Sequence, residues 1–149
     1  MDPSEQDVLR FTRSLAAPPE RVFEAWTRPE DLSRWWTGVG GWIGAQAEVD
    51  LSPGGRYRIS MRDARGALHG VVGVYAEVRE PEYLAFTWTW EGEPSVMRGS
   101  EGTLVVAEFQ AENAGTRLSL AHSGFEGKLV RSLHEEGWNA LLANLERTL

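Results

Sequence analysis

From Val8 to Leu15 apolar and polar residues alternate, with Leu9, Phe11 and Arg13 on one side. Period-two alternation predicts a half-buried strand, here one at the edge of a sheet. Ala17-Pro18-Pro19-Glu20 then starts a helix, because a proline in the first turn costs little. Val22, Phe23 and Trp26 form its inner face. Arg28-Pro29 ends it, since the residue before proline avoids helical geometry. A second short helix follows, with Leu32, Trp35 and Trp36 at helical spacing. Gly38, Gly40, Gly41 and Gly44 mark a flexible connection.

From about Gln46 to Ser123 the pattern is that of strands. Ala47–Leu51 is short and closes on the turn signal Pro53-Gly54-Gly55. In Arg56–Arg62, Tyr57, Ile59 and Met61 alternate with Arg56, Arg58, Ser60 and Arg62, as on a strand with one wet face. The arginine row reads as that wet face, with an acidic partner as the other option. Asp63-Ala64-Arg65-Gly66 turns the chain into a long strand, Leu68–Glu80, which Pro81 breaks. Tyr83–Trp90 puts Leu84, Phe86, Trp88 and Trp90 on one side. A polar loop, Glu91–Gly99, leads to Gly102–Glu112, and Asn113-Ala114-Gly115 turns into a last strand, Thr116–Ser123.

Phe125–Leu149 changes period. Leu129, Leu133, Trp138, Leu141, Leu142, Leu145 and Leu149 form one broad apolar stripe on a long helix. Gly137 lies inside it, where glycine costs up to about 1 kcal/mol relative to alanine. Either the helix approaches a strand there, which is the preferred reading, or the missing side chain leaves room for a cavity. The order is strand, two helices, six strands, helix. Strands joined by short turns form an antiparallel sheet, and a helix with so wide an apolar face needs a large curved surface to lie on. Residues 1–149 therefore read as one α+β domain, a curved antiparallel sheet wrapped around a C-terminal helix that encloses a hydrophobic cavity.

Composition narrows the function. The chain of 149 residues is 42% hydrophobic and 25% charged, within the globular range. No eighteen-residue apolar run exists for a membrane span, and the polar amino terminus lacks an apolar signal region. Without cysteine there is no disulfide or thiolate chemistry. A soluble, cytoplasmic protein is the simplest expectation. A net charge of −7 with scattered arginines argues against nucleic acid as a partner. Seven tryptophans are many for this length; such rings pack cores and also line small-molecule pockets.

Several segments together resemble a known family. They are Pro19-Glu20-Arg21-Val22-Phe23 with Trp26; Pro29-Glu30-Asp31-Leu32 with Trp35-Trp36; and Pro53-Gly54-Gly55-Arg56-Tyr57-Arg58. Gly73 to Val78 through Pro81 to Trp88, Gly115 to Leu118 with His122 to Phe125, and Gly137-Trp138 with Leu142 and Leu145 complete the set. In this order the chain resembles the START/Bet v 1-like superfamily with the helix-grip fold. Within it, the chain is similar to the activator of Hsp90 ATPase homologue 1-like (AHSA1-type) branch. The resemblance implies a curved sheet gripping the last helix. It also implies binding of apolar small molecules such as lipids, flavonoids or polyketides, or, in a few relatives, cyclase chemistry. The large Hsp90-binding domain of the eukaryotic namesake is not among these residues, so a co-chaperone role is less expected than the fold.

The search for chemistry turns up little. His69, His122 and His134 lack the spacing of a metal site, and no cofactor motif is present. His69 and His134 read as surface residues. His122 has two readings, a histidine bonded to a loop carbonyl or a polar contact for a ligand. Glu77 shares a strand face with Tyr75; the opposite face, Val72, Val74, Ala76 and Val78, is the more apolar, so Glu77 is expected in solvent or paired with an arginine. No serine sits in a nucleophile motif.

The expected pocket lies between sheet and last helix. Its walls would be Trp36; Tyr57, Ile59 and Met61; Phe86 and Trp88; Phe109; Phe125; and Trp138, Leu141 and Leu142, with His122 as the polar contact. The favoured function is non-catalytic binding of a small apolar or aromatic molecule. The alternatives are a stress-response or chaperone-associated interaction protein, with a filled core and an exposed apolar patch, and a cyclase or dehydratase moving protons through Glu77, His122 or Tyr75. A homodimer is compatible with each.

Overall fold

The computed structural model describes residues 8–37, 41–91 and 99–149. Gly38, Gly40 and most of the Glu91–Gly99 loop therefore lie outside the described residues. Strand β1 (Leu9–Leu15) is followed by helices α1 (Pro19–Thr27) and α2 (Pro29–Trp35). Six strands come next: β2 (Ile43–Val49), β3 (Arg56–Arg62), β4 (Leu68–Arg79), β5 (Tyr83–Glu91), β6 (Thr103–Glu112) and β7 (Gly115–Ser123). Helix α3 (Lys128–Thr148) closes the chain.

The strands form one antiparallel sheet in the order β1-β7-β6-β5-β4-β3-β2. Consecutive strands from β2 to β7 pair with each other, and β1 returns to pair with β7, Leu9 opposite His122. The two edge strands do not pair with each other, so the curled sheet is a half-barrel whose hollow holds α3. Among the described residues no helix is long and apolar enough to cross a membrane.

Local chemistry sets the helices. Arg28 is extended (φ −93°, ψ 129°), as the following Pro29 requires, so α1 stops and α2 starts at one residue. Asp31, on α2 and nearly buried, accepts two hydrogen bonds from the Arg21 guanidinium on α1 at 3.0 and 2.8 Å. Those bonds hold the Asp31 carboxyl below its ordinary range. Asn144 on α3 donates to the carbonyls of Trp35 and Thr37 at 3.2 and 2.7 Å, tying α3 to the end of α2. Arg13 on β1 donates to Asn139 at 2.7 Å and fastens the other side.

The buried face of α3 is Val130, His134, Trp138, Leu141, Leu142 and Leu145. Each large apolar side chain there contributes about 1.5–3 kcal/mol relative to exposure. Leu129, expected in the stripe, is 68% exposed. The stripe runs through Val130 and His134, and counting only apolar letters hides a buried histidine and shifts the phase by one residue.

Strand β4 also departs from expectation. The inward residues are Val71 and Tyr75, while Val74 is 37% exposed. Tyr75 lies opposite Phe86, but Glu77 lies opposite Ala85, so one extra residue is inserted between them. Such a bulge reverses the alternation, turning Val78 toward the core and Glu77 outward. Glu77 is exposed and pairs with Arg79; the pairing agrees with expectation, but the inward face before the bulge is the Tyr75 face. Gly73 is required by a close approach: a Cβ there would sit 2.0 Å from the Thr87 carbonyl oxygen.

Candidate functional site

A cavity of about 350 Å³ lies between α3 and the β2–β5 side of the sheet. Its deep part is formed by Trp36, Met61, Trp88, His134, Trp138 and Leu141, all buried. Its mouth is formed by the partly exposed Trp42, Trp90, Leu133 and Gly137 and the exposed Glu136 and Ala140. Elementary geometry brings these residues together. Trp88 and Trp90 are two apart on β5 and so share its inner face. On α3, His134, Trp138 and Leu141 repeat at helical spacing, and Leu133, Gly137 and Ala140 form the next row toward the mouth.

Gly137 opens onto this space. A Cβ at Gly137 would meet no heavy atom within 4 Å. The close helix–strand approach preferred from sequence is therefore incorrect, and Gly137 stands among the residues that border the cavity.

Two imidazoles organise the cavity's back wall. His134 Nε2 accepts from the indole N–H of Trp88 at 3.2 Å and of Trp90 at 3.0 Å. An indole N–H can only donate, so Nε2 carries no proton and Nδ1–H donates to the Val130 carbonyl at 2.8 Å. His122 Nδ1 accepts from the Trp138 indole at 3.0 Å, leaving Nε2–H to donate to Thr103 Oγ1 at 2.8 Å. The Thr103 hydroxyl in turn donates a hydrogen bond to the Ser100 carbonyl, also at 2.8 Å. Both rings are thus held neutral in a defined tautomer. Burial pushes the pKa of His122 down to about 2, with His134 nearby adding to it. Burial lowers that of His134 too, against the Val130 carbonyl, which favours the proton.

His134 is 4% exposed and His69 is 5% exposed, so neither is the surface residue its sequence context suggests. Both ring nitrogens of His134 have partners, whereas His69 has one for Nε2 and a buried Nδ1 without one. His69 Nε2–H donates to Asp63 at 2.8 Å, and its ring stacks on Trp42 with centroids 4.3 Å apart. Asp63 also accepts from the backbone of Arg65 and Ala67. The β3–β4 turn thereby positions Trp42 at the mouth through His69.

Of the walls expected from sequence, Trp36, Met61, Trp88, Trp138 and Leu141 line the cavity. Tyr57, Ile59 and Phe86 border a separate void of about 10 Å³ with Trp26 and Tyr75, room for about one water. Phe109, Phe125 and Leu142 are packed in the core. His122 is fully buried and outside the lining, bonded to neither a loop carbonyl nor open space. None of Glu77, His122 and Tyr75 lines the cavity beside α3. Sequence reasoning missed Trp42, Trp90, Leu133, His134, Glu136 and Ala140 as lining, and gave Gly137 only as the less favoured of two readings. The signal for Trp90 was present, since it follows Trp88 on the same strand face. Among the described residues no cluster of histidine, aspartate and glutamate is placed to hold a metal ion.

Comparison with known proteins places this geometry in context. The family model described as Activator of Hsp90 ATPase homolog 1-like protein matches residues 16–149. A solved protein of Chromobacterium violaceum is 25% identical, with 96% of each chain covered and a TM-score of 0.82. The AHSA1-like protein from Aeromonas hydrophila is 23% identical over 94% of this chain and 90% of its own, with a TM-score of 0.77. The Aha1 dimer from Colwellia psychrerythraea is 16% identical over 95% of each chain, with a TM-score of 0.72. The last two likenesses are of fold alone. No curated protein matches the chain.

Proposed function

Since this chain belongs to the Activator of Hsp90 ATPase homolog 1-like family, we propose that it uses the hollow of the helix-grip fold to bind a small apolar or aromatic molecule, without chemistry of its own. The observation that carries this reading is the cavity of about 350 Å³ walled by five indole rings, with Met61, Leu133 and Leu141 between them. That volume is at the small end of ligand pockets, about 300–1,000 Å³, and suits one or two fused rings. The interaction-protein alternative expects a filled core, which this space disfavours. The cyclase alternative expects Glu77, His122 or Tyr75 on the cavity wall, where none of them lies. A homodimer like that of the Colwellia protein is compatible with the reading, because the cavity is built within one chain.

The test is titration of naphthalene and indole into the protein, followed by tryptophan fluorescence and melting temperature. Binding at 100 times Kd should stabilise the fold by about 2.7 kcal/mol. Gly137→Phe, whose ring would enter the cavity, should fold and lose the response. No response from the parent protein to either probe, or an equal response from Gly137→Phe, would count decisively against the proposal.

A further inference from the structure

The cavity's walls also specify the charge of what they hold. Indoles contribute both flat π surface and an N–H donor, but here three of the five lining indoles have their donors withdrawn. The Trp88, Trp90 and Trp138 N–H groups all point into imidazole nitrogens, and the remaining nitrogen of each imidazole donates to a carbonyl or hydroxyl. The deep wall therefore offers no hydrogen-bond donor from these rings, and their π systems remain. Trp90 meets Trp42 at 85° and Trp88 at 85°, with centroids 5.8 and 5.9 Å apart. Three indoles thus form two successive right-angled corners. At the mouth stands Glu136, and among the described lining residues it is the one formal charge. The chain as a whole carries −7.

This combination selects among ligand classes. An anion would meet the Glu136 carboxylate and find the Trp88, Trp90 and Trp138 donors already engaged. A primary ammonium would bring N–H groups that the deep wall cannot satisfy, at the cost of burying them unpaired. A neutral hydrocarbon fits the walls but gains nothing from Glu136. A cation with its charge spread over methyl groups needs no acceptor, is attracted to indole faces, and is the ligand that aromatic corners recognise best. Resting on the binding reading above, we propose that the cavity takes an organic cation of the quaternary ammonium class, its charged head among Trp42, Trp88 and Trp90 with Glu136 at the mouth.

The experiment compares phenyltrimethylammonium with its neutral carbon isostere tert-butylbenzene, and with benzylammonium, by tryptophan fluorescence and thermal shift on the full chain. The quaternary cation should bind about tenfold or more tightly than the isostere, the scale of a desolvated cation–π contact. Benzylammonium should be the weaker cation. Glu136→Gln, at an exposed helix position, should weaken the quaternary cation several-fold more than it weakens tert-butylbenzene. If tert-butylbenzene binds as well as its charged twin, the charge preference is overturned while the cavity reading stands. If no probe binds, both readings fail. An unchanged preference in Glu136→Gln would overturn the role given to that carboxylate.

Discussion

Replacing Gly137 by alanine distinguishes directly between a helix pressed against a strand and a helix facing open space. Glycine inside a helix is about 0.8–1.0 kcal/mol less favourable than alanine, largely because it leaves the unfolded chain more freedom. The new Cβ would meet no heavy atom within 4 Å, so no packing penalty offsets that gain. Gly137→Ala should therefore stabilise the protein by up to about 1 kcal/mol, or roughly 2–4 °C in melting temperature for a chain of this size. The assay is urea unfolding followed by far-ultraviolet circular dichroism, with the midpoint rising and the slope unchanged. Gly73→Ala is the internal contrast. Its Cβ would fall 2.0 Å from the Thr87 carbonyl oxygen, and overpacking of this kind costs about 1–3 kcal/mol or more. A loss of stability in Gly137→Ala comparable with that in Gly73→Ala would refute the geometry on which the cavity rests.

Two further outcomes are expected. His122 and His134 both have pKa values lowered by burial, whereas the unfolded value is about 6.5. Below that pH the unfolded chain binds protons that the folded chain does not. Stability is therefore fully present above about pH 6.5 and falls on acidification, at roughly 1.4 kcal/mol per pH unit for each ring. For His122 the fall continues toward its folded value of about 2. Asp31 and Asp63, also lowered, add their losses only below their ordinary value of 3.8. Urea midpoints at pH 7.5, 6 and 5 read the histidines alone, and a flat series would contradict the neutral, indole-bonded rings. The phase of α3 is checked by a pair of substitutions: Leu129→Ser, at a site 68% exposed, should change stability by less than about 0.5 kcal/mol. Leu142→Ala, fully buried, should cost about 2–5 kcal/mol, and similar effects from the two would mean that the helix is rotated.

The order of elements, the antiparallel turns, the long terminal helix and the family were all legible in the sequence. They depend on signals that act over a few residues: alternation at period two, a stripe at helical period, and Pro and Gly at the breaks. Arg28-Pro29 marks a helix boundary whatever the rest of the chain does, and Tyr57, Ile59 and Met61 point to one face in any sheet that contains them. What the tertiary structure alone decided is which large side chains fill space and which surround it. Trp88 and Phe86 lie two apart on one strand face, yet one lines the cavity and the other a void of about 10 Å³. The burial of His134 depends on Trp88, 46 positions away in the chain, and a single inserted residue in β4 turns Glu77 away from the core. A cavity is the volume left over when remote elements fail to meet, and a buried polar ring is stable only where a distant donor reaches it. Neither quantity is a property of any local stretch of residues.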